Sequence, residues 1–268
     1  ATPAFAGYID DATTNDESTQ TQIDVKLMSL KERLRQLVDN IKIVATNKQF
    51  WLVAIWGICS PSCFFNFSSL WCGPYLKEVT KLSPSKANLY IMMLSLAWII
   101  GSPSLMVFTE LLKTRKWILV VSTIITCGTS IGFMFVTEST PVALLLPMLF
   151  IFALFAGATI GVQLAMFKEM HIDSAAATAM GCGNFFPFFT AGVLQLISPV
   201  LLAAIDHAGS GEPHSFKAYR FGLWMVNAIM AVIACIGISL SRDTCGLPAC
   251  EKAGYVDSND RGLFSSLA

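Results

Sequence analysis

The chain has 268 residues, of which 54% are apolar and 13% charged, with Lys and Arg balancing Asp and Glu to a net charge of zero. A mean hydropathy of +0.60 excludes an ordinary water-soluble domain. No cluster of Lys and Arg interleaves with exposed aromatics, so a nucleic-acid partner has no electrostatic footprint.

Residues 1–22 are rich in Thr, Asp, Asn and Ser and read as a flexible segment with little to bury. They lack the basic start and small-residue cleavage site of a signal peptide. The first residue is Ala1 rather than Met, which points to a chain that was trimmed or begins inside a longer protein. From Ser29 the pattern changes. In "SLKE", Ser29 and Glu32 form a capping box, and Leu30, Leu34, Leu37, Ile41 and Val44 follow at helical spacing. This predicts an amphipathic helix over about 29–45, with Lys31, Arg33, Arg35 and Lys42 on its wetter sides. Such a helix lies along a membrane interface or packs on the polar ends of neighbouring spans.

Six uncharged, mostly apolar runs follow: Gln49–Leu76, Ala87–Thr109, Trp117–Thr137, Ser139–Phe167, Ser174–Ile205 and Phe221–Ser241. As a helix, each is long enough to cross a hydrocarbon core of about 30 Å, which takes about 20 residues. The predicted spans are 49–72, 87–109, 117–137, 141–166, 175–205 and 220–241, in one domain over 47–242 between a polar linker, 1–46, and a tail, 243–268. The fold class is therefore an all-α polytopic membrane protein. Span order also hints at a doubled three-helix unit: long with an internal Pro, standard, then short with small residues, twice over.

Six spans return the chain to its starting side. That side holds most of the Lys and Arg, including Lys113, Arg115, Lys116, Lys168 and Arg242, so both ends are expected in the cytoplasm, with the protein in a plasma (inner) membrane. Six of the eight cysteines fall inside the apolar runs, Cys72 near the end of the first, and their spacing fits neither a zinc site nor a disulfide framework. They read as small packing residues. No metal and no cofactor is expected.

Between the ends of the spans there is no Asp, Glu, Lys, Arg or His. Intramembrane ionisable groups mark proton relays and charged-substrate sites, so a neutral or weakly charged solute fits better than a strong anion. What remains is uncharged polarity: Ser62 and Asn66, Thr159 and Gln163, Asn184 and Gln195, and Asn227. Each needs a partner or a wet cavity, and such residues are more often interhelical glue than ligands. Glu169, His171 and Asp173 match no zinc motif and read as a solvated turn, so no enzyme is expected. In "GCGNFFPFF", Gly181 and Gly183 precede Pro187, which makes this stretch the best place for a hinge.

The stretch "GSPSLMVFTELLKTRK", Gly101 to Lys116, crowds an acid and three bases between two apolar runs. It resembles the signature loop of the major facilitator superfamily: Gly101 matches the opening glycine, Glu110 the usual aspartate, and Arg115 with Lys116 the closing basic pair. Met106 stands where a second glycine is common, and Leu111 where a base commonly follows the acid. "SLWCGPYLKEV" looks like the end of that family's seventh helix, and "KEMHIDSAAATAMGCGNF" like the passage from its tenth to its eleventh. "GVLQLISPVLLAAID" resembles the rest of that eleventh helix.

The resemblance implies the second half of a twelve-helix secondary transporter (a permease or symporter), with an N-terminal six-helix half as its partner besides lipid and a small-molecule solute. It implies a cytoplasmic gating latch at Gly101, Glu110, Arg115 and Lys116. It also places Asn66, Trp71, Gln163, Asn184 and Phe188 at a substrate cavity, and Asn227 away from it. The competing expectation is a complete six-span sensor or scaffold that uses its amphipathic helix to contact a partner.

Overall fold

A computed structural model describes residues 30–206 and 214–245. Among them the structure is helical, with no strand. Helix α1, Leu30–Thr46, precedes six helices that are long and apolar enough to cross a membrane. These are α2, Lys48–Glu78; α3, Pro84–Leu112; α4, Lys116–Phe133; α5, Ala143–Glu169; α6, Asp173–Asp206; and α7, Phe216–Leu240. The chain is thus an all-α integral membrane protein. Ser29, the expected cap of α1, lies outside the described residues, as do the linker before it and most of the tail.

Helix α2 is the centre of the bundle. In its most apolar stretch 78% of residues are buried, against 22% in α3 and 17% in α6. It packs on α6 and α7, while α4 packs on α7, and α5 lies between α3 and α6. Helix α3 meets the protein along one stripe, Ala87, Tyr90, Leu94, Ala97, Gly101, Leu105 and Thr109, at steps of three and four residues. Its remaining faces are exposed and largely apolar. The buried residues of α6 are mostly small, Ala175, Ala176, Ala179, Gly183 and Ala191, so its backbone comes close to its neighbours.

Two cores divide the molecule along its length. One, at the Arg115 end, includes Val53, Trp56, Leu119, Val162, Met166 and Phe167. The other, at the Glu78 end, is aromatic: Phe133 stacks on Trp224 at 4.2 Å, and Phe67 lies 4.7 Å from the same indole. Lipid tails are as apolar as Leu, so these cores hold by packing rather than by exclusion of water. Helices α2, α5 and α7 each widen to a π-turn beside the aromatic core, at Phe67–Trp71, Ala153–Gly157 and Tyr219–Trp224. Such turns insert a residue and spread the helix locally; here Phe67 and Trp224, both in π-turns, meet one another.

Helix ends depart from the sequence expectation where side chains from elsewhere satisfy the backbone. Helix α2 runs on to Glu78 because Tyr75 and Leu76 are fully buried. Helix α4 stops at Phe133 rather than at 137, and the carbonyl of Met134 just beyond accepts from Arg220 Nε at 2.8 Å. The turn from α3 to α4 is tight: Lys113 takes the left-handed conformation, φ 51°, and its amide and that of Thr114 bond back to the last turn. The seven cysteines among the described residues are free.

Helix α1 touches the ends of the spans along one side and leaves its apolar face open. Only Val44 is buried, while Leu30, Leu34, Leu37, Val38 and Ile41 are exposed. Asn40 Nδ2 donates to the Ser174 carbonyl at 2.9 Å, which ties α1 to the start of α6.

Candidate functional site

The charged turn after α3 builds an ionic network at one end of the bundle. Arg115 caps the start of α4, where its side chain is 6% exposed. One guanidinium nitrogen donates to Thr109 Oγ1, and another to Glu110 Oε1 and, at 2.9 Å, to Glu169 Oε1. Nε adds a bond of 3.2 Å to Glu169 Oε1. Glu169 is 19% exposed and ends α5, whereas Glu110 is 63% exposed, so Glu169 is the dominant partner. Burial opposes the charge on Arg115, yet its bonds to Glu169 and Glu110 outweigh that and raise its pKa.

The segment after α7 closes the network. Asp243 accepts from the backbone amides of Arg115 at 2.9 Å and Lys116 at 3.4 Å, and from Thr114 Oγ1. An acid on the first amides of α4 satisfies donors that have no partner within the helix. Burial opposes its charge, but these bonds hold the Asp243 carboxyl below the usual range. Thr244 Oγ1 donates to Glu169 Oε2 at 2.7 Å. One cluster therefore binds the α3–α4 turn, the end of α5 and the chain leaving α7.

Of the four residues expected at this latch, Glu110 and Arg115 pair directly. Lys116 joins through its amide, while its ammonium lies 5.4 Å over the Trp117 ring. Gly101 sits two turns back along α3, where a Cβ would meet the Ala158 Cβ at 2.9 Å; it sets the approach of α3 to α5. The expected solvated turn after α5 is folded in at Glu169 and His171, while Asp173 stays exposed. Besides Glu169, His171 is 3% exposed: Nδ1 donates to the Phe167 carbonyl at 2.8 Å and Nε2 accepts from Asn47 Nδ2 at 3.3 Å. Its pKa is lowered by burial.

The residues expected at a cavity fall in two places. Trp71 Nε1 donates to Ser198 Oγ at 2.7 Å, and Ser198 Oγ donates to Asn66 Oδ1 at 3.4 Å, a chain joining α2 to α6 inside the membrane span. Phe188, 50% exposed on α6, stacks on Phe65 at 4.6 Å, next to Asn66. Asn184 is half-buried one turn before it. Gln163 lies apart, nearer the Arg115 end, fully buried with its amide donating to the Val53 carbonyl at 3.1 Å and filling the space that a Cβ on Gly57 would need.

At the expected hinge, α6 continues as one helix through Gly181, Gly183 and Pro187. Gly181 has open space around it, and Gly183 is pressed against the Phe167 ring. Asn227, which the resemblance keeps from the cavity, is buried on α7.

Ser198, Glu169 and Asp243 are the working residues that the sequence reading missed. Ser198 and Glu169 come from parts of the chain far from their partners, and Asp243 stands at the edge of the expected tail. For Glu169 the signal was three bases crowded at the turn with the single acid Glu110, which left a charge to be met from elsewhere; nothing in the sequence marked Ser198 or Asp243.

At the opposite end, Glu78 Oε2 accepts from Tyr219 Oη at 2.7 Å and the His214 amide at 2.9 Å, and Lys81 pairs with Glu138 at 3.7 Å. Glu78, Lys81, Glu138, His214 and Ser215 border an open cavity of about 240 Å³. Among the described residues no three His, Cys, Asp or Glu side chains gather to hold a metal ion. Compared with protein-family models and with curated proteins, the chain matches none.

Proposed function

We propose that the chain is the C-terminal half of a secondary transporter of the major facilitator type, which moves a small neutral or weakly charged solute by alternating access. The observation that carries this reading is the Arg115 network. It is a compact set of charges at one end of a bundle whose spans carry none between their ends, and it ties the α3–α4 turn to the end of α5 and the chain leaving α7, where the resemblance expects a gating latch. Exposed faces on α3 and α6 offer a second six-helix half its docking sides. The Arg115 end is then cytoplasmic and the Glu78 end faces out. No covalent chemistry is involved, and a proton-coupling carboxylate, where coupling exists, belongs to the other half.

Polar and aromatic groups near Asn66, Trp71 and Phe188 are the contacts this half brings to the solute. Two steps test the reading. Sequencing the DNA upstream of the Ala1 codon should reveal six further apolar spans in frame; a start codon close by would favour the six-span sensor instead. In the complete protein, Asn66→Ala should lower solute uptake at unchanged membrane level, and wild-type uptake would remove Asn66 from the site.

A further inference from the structure

We infer that α1 is a docking surface for anionic lipid, held beside the bundle at the headgroup level. The inference does not depend on transport. Wound at about 3.6 residues per turn, α1 puts Leu30, Leu34, Leu37, Val38 and Ile41 on one face, and all five are exposed. Lys31, Arg35 and Lys42 fall along one border of that face, and Arg33 along the other. Glu32 and Asp39 fall at the opposite pole. Bases bordering an apolar face with acids turned away is the charge pattern that complements lipid phosphate and carboxylate groups. Lys42 pairs with Asp39 at 3.8 Å, an exposed contact that a phosphate readily replaces.

Position supports the same occupant. Only Asn47 separates α1 from α2, so α1 ends where the membrane span begins. Trp51 is 42% exposed at this elbow, and its Nε1 donates to the Ala45 carbonyl at 2.8 Å, an aromatic fixed at the interface. The contacts of α1 with the bundle, through Asn40 and Val44, lie about a quarter turn from the centre of the apolar face. A helix lying flat on a membrane beside a bundle has this relation: its side meets protein and its apolar face meets lipid. A face turned to water would leave five large apolar side chains exposed together.

The test uses the whole chain reconstituted in nanodiscs of phosphatidylcholine, alone or with phosphatidylserine, and reads amide hydrogen exchange over 30–41. With three bases near the surface, exchange should slow by about a hundredfold in the anionic discs relative to the neutral ones. A triple variant, Lys31→Gln, Arg35→Gln and Lys42→Gln, should abolish that difference while leaving exchange in the six spans unchanged. Equal exchange of the wild type in both discs would overturn the role of charge. Protection in both kinds of disc that is lost when each disc holds a single copy of the chain would overturn lipid as the occupant and indicate a second copy.

Discussion

Arg115 shows how much one buried charge demands of its surroundings. A buried pair adds little net stability, but removing one partner leaves an uncompensated charge. We therefore expect Glu169→Ala to cost about 3 kcal/mol, and Glu110→Ala, whose carboxylate is 63% exposed, less than about 1 kcal/mol. Chemical denaturation of the purified protein in detergent measures both, and equal losses would contradict the ranking of partners. His171 titrates in the opposite sense. Buried and neutral, it has a folded pKa below its ordinary value. The unfolded chain then binds the proton first as pH falls. Its contribution is full above about pH 6.5, the unfolded value, and is lost as pH drops through the folded pKa. The unfolding midpoint should fall over that window, and His171→Gln should flatten this part of the profile; an unchanged slope would argue against the Asn47–His171–Phe167 bonds.

Between elements, the seam of α2 and α6 carries the most telling polar contact. Ser198 accepts from Trp71 and donates to Asn66, so the hydroxyl serves two partners. Interhelical hydrogen bonds in membranes are worth about 1 kcal/mol. Trp71→Phe should cost about that much, and Ser198→Ala more, since it strands the indole N–H as well. A double-mutant cycle should give a coupling of about 1 kcal/mol; strict additivity would mean that the two groups do not touch. Sequence made the seam half visible. Asn66 stood out as polarity in an apolar run and the resemblance singled out Trp71, whereas nothing marked Ser198, beside Pro199. A hydroxyl gains meaning from what lies across from it, and that partner is 127 positions away.

For the molecule as a whole, what the sequence determined is the set of helices and their number. Lipid offers backbone no hydrogen bonds, so an uncharged run of sufficient length has one outcome, and the six runs read from charge alone are the six long apolar helices of the structure. The crowding of Glu110 and Arg115 at a turn was legible for the same reason, because charge collects where the chain leaves hydrocarbon. Tertiary structure alone decided which acid Arg115 meets, that Asp243 caps a helix begun far earlier in the chain, and that Gln163 fills the space beside Gly57 while Asn66 joins Ser198. Burial along a helix follows from a periodic pattern within one segment. Pairing between segments depends on how helices of nearly uniform apolarity rotate against one another, and that rotation is set by small residues, π-turns and a few polar groups acting together.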